Sequence, residues 1–220
     1  MLFRSITSIV KRGNIPASSF FASAGVSSPS EHFDVHSRAL LSYLRQGQPV
    51  EFGLVDEINL ESSRAALIAA LSGGAQWINY LGHSSPNRWA LQNLINTSQL
   101  GTINRTGLAA VVSQWGCWNN YFVLPNQDTM SHALLLRPNH LAAAVIGSTS
   151  LAEDASHLAL ATRFFDLVED GRIGDEAGAA VGSIGEALLQ AKQSLARDEP
   201  QYIESNWSIS LFGDPAMPLR

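Results

Sequence analysis

With 220 residues, 45% of them hydrophobic and 15% charged, the chain is long enough to bury a core and too apolar to be disordered, so one globular domain is the default. Fourteen basic and 19 acidic residues leave a net charge of −5 with no long like-charge run, which argues against an electrostatic grip on nucleic acid or anionic lipid. A single cysteine, Cys117, rules out an intrachain disulfide and a Cys-rich zinc site.

Taken in chain order, the first residues, 1–21, carry Arg4, Lys11, Arg12 and several serines, a faintly presequence-like composition without a signal-peptide core. Residues 1–17 are expected to be a ragged segment and 18–220 the folded domain. Short apolar runs at 19–22, 50–55, 76–81, 108–114 and 141–146 predict buried strands. Between the first three, Val35, Ala39, Leu40, Tyr43 and Leu44 share one helical face, and Leu60, Ala65, Leu67, Ile68 and Leu71 another. Later, Leu158, Ala161, Phe165 and Val168 mark a helix that Asp154 would cap and Gly171 would stop. Ile184, Leu188, Ala191 and Leu195 mark the next helix, and alternation over 206–212 predicts a final strand. No apolar run approaches the roughly 18–20 residues that span a bilayer, so no membrane span is expected.

This alternation predicts an α/β fold: a three-layer α/β/α sandwich around a mostly parallel sheet. Such sheets bind ligands beyond the carboxyl ends of their strands. Two segments lie there, Gly82-His83-Ser84-Ser85 after strand 76–81 and Gly116-Cys117-Trp118 after strand 108–114. If the two strands are neighbours, an imidazole and a thiol face one substrate, as cysteine catalysis requires. From spacing alone, the same glycines also suit plain turns and His83 a loop hydrogen bond.

The blocks Asn79-Tyr80-Leu81-Gly82-His83-Ser84-Ser85, with Trp89, and Gly116-Cys117-Trp118-Asn119-Asn120-Tyr121-Phe122 resemble the histidine and cysteine blocks of the gingipain-type C25 cysteine peptidases. Residues 131–136, 142–150, 184–188 and 211–216 are similar to that family's following helix and strand, closing helix and terminal strand. The resemblance implies a caspase-like fold and a polypeptide substrate, with residues 18–220 the caspase-like catalytic domain and 1–17 a ragged segment or the remnant of a preceding subdomain. Cys117 would be the nucleophile, His83 the general acid and base, and the backbone N–H groups of Ser84 and Cys117 the oxyanion donors. It calls for no cofactor or metal, and implies a secreted or cell-surface protein with a further subdomain before this one.

The family's usual histidine block reads Gly-His-Gly-Ser, and here Ser84 follows His83. If that position needs φ > 0, serine there is strained. A catalytically degenerate caspase-like binding module is therefore the competing reading, and a transpeptidase a variant of the first. The acid that would orient His83 is Glu31 or Asp34, each also readable as a helix-start charge. Trp118 is a candidate cleft wall, and Glu153 and Asp154 candidate carboxylates for a basic substrate side chain. Gly82-His83-Ser84-Ser85-Pro86 also overlaps the G-x-S-x-G elbow, which would make the enzyme a serine hydrolase using Ser84, although Pro86 replaces the last glycine. The other histidines, His32, His36, His132, His140 and His157, form no metal-binding pattern.

Overall fold

The computed structural model describes residues 19–24, 32–43, 49–56, 58–151, 153–170 and 182–218. Strands β1 (Ser19–Ala24), β2 (Val50–Val55) and β3 (Trp77–Leu81) are linked by helices α1 (Phe33–Leu40) and α2 (Leu60–Gly73). All five residues of β3 are buried, because helices cover both faces of the sheet and no solvated side remains for polar alternation. The chain then departs from the simple strand–helix alternation. A small antiparallel sheet of β4 (Ser84–Ser85), β5 (Arg88–Trp89) and β6 (Ile95–Asn96) is followed by the one-turn helix α3 (Thr97–Leu100). Strand β7 (Ala110–Trp115), helix α4 (Met130–Leu135), strand β8 (Ala142–Ser148) and helices α5 (Asp154–Asp170), α6 (Ile184–Asp198) and α7 (Ile203–Ser208) follow, and β9 (Ile209–Gly213) ends the sheet.

The six strands lie in the order β2-β1-β3-β7-β8-β9, with every pairing parallel except the antiparallel β8–β9. One face packs Leu67 and Leu71 of α2, Leu100 of α3 and Ala133 and Leu134 of α4 against Ile78, Tyr80 and Val112. The other packs Phe33 and Leu40 of α1, Phe164 and Phe165 of α5, and Ala187 and Leu195 of α6 against Phe21, Trp77 and Trp115. This is the expected three-layer sandwich. Burying each large side chain contributes about 1.5–3 kcal/mol, so the two cores dominate its stability.

Three local expectations change. Helix α1 buries Phe33, Ser37 and Leu40, an i, i+4, i+7 stripe that leaves Val35 on the other side, 58% exposed, and the chain then tightens into a 3₁₀ turn over Leu41–Tyr43. The alternation over 206–212 is split. Residues to Ser208 are helical, with Asn206 and Ser208 buried through bonds to Lys192 O (2.8 Å) and Ser205 O (2.8 Å). Asp154 is the first residue of α5, while the proposed stop at Gly171 and the residue Leu44 lie outside the described residues.

Candidate active site

The β3–β7 register places the two motif segments. Trp77 lies opposite Val111 and Leu81 opposite Trp115, a constant offset of 34 residues. The pairing runs on past the strands, since Gly82 N–H donates to Trp115 O at 3.1 Å. Gly82 and Gly116 follow the last pair directly, and His83 and Cys117 are each the second residue beyond it on their strands. Neighbouring strands run about 4.8 Å apart. Gly116 is obligatory at this crossing: a Cβ there would meet Gly82 O at 2.3 Å and Ser84 Oγ at 2.4 Å. Gly82 has φ +151, which also favours glycine.

The histidine side is built from aromatic residues. The edge of the Phe33 ring meets the His83 imidazole with centroids 5.2 Å apart at 78°. The His83 carbonyl accepts from Tyr80 Oη (2.5 Å) and Ala90 N (2.8 Å). Tyr80 is fully buried and stacked on Trp89 at 4.9 Å. Burial pushes its phenol far above the ordinary range, with a smaller upward contribution from Cys117, so Tyr80 stays protonated and keeps donating. Both His83 and Cys117 are half-buried. Asp34 follows Phe33 in the first turn of α1. Glu31 lies outside the described residues.

Ser84 sits in strand β4, and it is not among the residues with positive φ, so the strain expected of a serine here does not arise. Its hydroxyl donates to Cys117 O at 2.7 Å and accepts from Asn119 Nδ2 at 3.2 Å. A hydroxyl has one proton, and this one is committed to a carbonyl. With Ser84 on a strand rather than a strand-to-helix elbow, the serine-nucleophile reading loses its geometry.

Behind Cys117 lies a buried polar network that spacing did not reveal. Asn119 Nδ2 reaches Gln114 O and Gly116 O (3.2 Å each), and its Oδ1 accepts from Ser148 N at 2.9 Å. Gln114 accepts from Trp89 Nε1 at 2.7 Å and donates to Asn120 Oδ1 (3.1 Å) and Ser131 Oγ (2.7 Å). Ser131 Oγ also bonds Asn120 Oδ1. Asn119 and Asn120 stood in the cysteine block; their asparagine identity was the available signal.

Trp118 is 37% exposed with φ +55, an outlier for a bulky residue that costs about 1–3 kcal/mol. It walls a groove of about 600 Å³ with Ser150, Leu151, Glu153, Gln201, Glu204 and Ser205. Trp118 and Glu153 therefore come together, whereas Asp154 opens α5 instead. Glu204 was missed, because the sequence pattern there suggested the approach to a strand.

The other histidines have structural settings. His132 Nδ1 accepts from Thr129 N at 3.4 Å in a capping box, and His140 Nδ1 lies 2.9 Å from Leu135 O. The rings of His32 and His36 are 6.3 Å apart. His157 is buried beside Trp115, and desolvation lowers its pKa to about 4. Among the described residues no three His, Cys, Asp or Glu side chains converge, and no helix is long and apolar enough to cross a membrane.

Comparison with known proteins places this geometry. No curated protein sequence matches the chain. Among solved structures it is similar to the Arg-specific cysteine proteinase gingipain R (RgpB), with TM-score 0.77 and 15% identity over 92% of this chain and 47% of that one. It is also similar to the complex of Porphyromonas gingivalis RgpB pro- and mature domains (0.77, 17%, 92% and 48%) and to a structure described only as a protease (0.71, 16%, 99% and 51%). The chain spans about half the length of these structures, and the likeness shows the caspase-like α/β fold. The profile of peptidase family C25 matches residues 21–220, nearly the whole chain, and the protein belongs to that family.

Proposed function

We propose that residues 18–220 form the catalytic unit of a cysteine-type endopeptidase. The observation that carries this reading is the β3–β7 pairing, whose last pair, Leu81 and Trp115, lies two residues before His83 and Cys117 on neighbouring parallel strands. Cys117 attacks the scissile carbonyl as a thiolate. The tetrahedral oxyanion is held by the backbone N–H groups of Ser84 and Cys117, and His83 delivers a proton to the leaving amine. The thioester is then hydrolysed by a water that His83 deprotonates, returning the thiol. The groove beside Trp118 suits a cationic substrate side chain, since Glu153 and Glu204 both line it; gingipain R, of the same fold, is Arg-specific.

Cys117→Ala, assayed on a mixed peptide library, tests the reading. Cleavage is expected to fall by about 10⁴-fold, and retained cleavage overturns the thiol mechanism. A wild-type chain that neither cleaves peptides nor reacts with an acyloxymethyl-ketone probe is instead a binding module. Ligated product on adding an amine identifies a transpeptidase.

A further inference from the structure

We propose that Ser84 is a positioning residue whose hydroxyl latches the Cys117–Trp118 peptide in the orientation the reaction uses; this rests on the reading of Cys117 as nucleophile. That peptide unit is held at both ends by different loops. Its carbonyl accepts from Ser84 Oγ at 2.7 Å, and its N–H, on Trp118, donates to Ser150 O at 2.9 Å. One partner follows β3 and the other follows β8, so the plane of the peptide is fixed across the site.

The latch has its own support. Asn119, fully buried, donates to Ser84 Oγ and to Gly116 O (3.2 Å each), and receives Ser148 N. The same carboxamide therefore braces the histidine loop, the cysteine loop and the end of β8. The peptide it supports leads into Trp118 in the left-handed region, a conformation that persists only where the surroundings impose it. Without the Ser84 hydroxyl, this hydrogen bond at the carbonyl end of the peptide is lost, and the backbone at Cys117 is held less firmly. On the histidine side, Tyr80 Oη holds the His83 carbonyl at 2.5 Å. Each half of the pair thus has its carbonyl fixed by a hydroxyl from β3 or the segment after it, and Ser84 fixes the one across the strand gap.

The test uses the full chain with Ser84→Ala and Ser84→Thr. Loss of the hydroxyl is expected to lower kcat by about 10-fold with KM little changed, because the interaction positions the nucleophile rather than binding substrate. Ser84→Thr, which keeps the hydroxyl, restores most of the rate. Alkylation of Cys117 by iodoacetamide stays near wild type, while labelling by a peptidyl acyloxymethyl ketone slows in step with kcat. Hydrogen exchange at the Trp118 amide quickens about 10-fold. An alanine variant with unchanged kcat and unchanged Trp118 exchange overturns the latch. So does a loss of rate that Ser84→Thr fails to restore. If the wild-type chain cleaves nothing, the peptidase reading fails, and the Trp118 exchange rate alone decides whether the latch exists.

Discussion

The two faces of the sheet bury polar groups in opposite ways. On the face covered by α2 and α4, the Gln114 carboxamide is matched to Trp89, Asn120 and Ser131. On the face covered by α1 and α5, Asn79 Oδ1 accepts from Ser113 Oγ (2.6 Å) and Trp115 Nε1 (2.9 Å). Yet among the described residues Asn79 Nδ2, Ser23 Oγ, Ser37 Oγ and both ring nitrogens of His157 are buried without a partner, against Asn139 Oδ1 on the first face. A matched network fixes one arrangement, whereas unmatched groups cost desolvation free energy. The matched face carries the bracing behind Cys117. The unmatched face sets the response of the molecule to acid.

The largest way to break this contrast is Gln114→Leu, which strands buried Trp89 Nε1 and takes one hydrogen bond each from Asn120 and Ser131, which keep each other. It should cost about 4 kcal/mol in urea unfolding and lower peptidase activity with it. Next is acid. Folded His157 titrates near 4 and the unfolded residue near 6.5. Between those values the unfolded chain binds a proton that the folded chain refuses. Stability is therefore complete above pH 6.5 and falls by about 3 kcal/mol on acidification to pH 4, measurable as the urea midpoint against pH. His157→Leu sharpens the same point: it should flatten that acid limb and add about 1 kcal/mol at neutral pH by removing unmatched polar atoms. Smallest is Ser37→Ala on α1, expected to stabilise by about 0.5 kcal/mol in the same assay. Destabilisation by either of the last two changes would mean that these groups are matched after all.

How much of this was legible follows from how strongly each pattern is driven. The strands showed because double-sided burial writes continuous apolar runs, as in Trp77-Ile78-Asn79-Tyr80-Leu81. The positions of His83 and Cys117 just beyond strand ends were legible because their blocks follow apolar runs, and the adjacency of β3 and β7 was the condition stated for them to face one substrate. The β4-β5-β6 sheet did not show, since strands of two residues have no period to read. Helix α7 read as strand because Asn206 and Ser208 turn inward while Trp207 is 73% exposed, an inverted pattern held by side-chain hydrogen bonds. Glu204 was lost with it. Ser84 looked like a defect from composition, and its use became visible only with the position of the Cys117 carbonyl.

The 34-residue offset between β3 and β7 also has a kinetic meaning. The contacts that join the two halves of the site, from Gly82–Gly116 to Ser84–Cys117, and the Trp118–Ser150 bond link segments distant along the chain. Such contacts form only after the intervening loops have closed. On the proposed reading, a competent Cys117 is thus a late product of folding, and the fraction of chains that react with a peptidyl probe would count those that have completed the sheet. A change far from Cys117 that weakens strand pairing would lower that fraction and mimic a defect at the site itself.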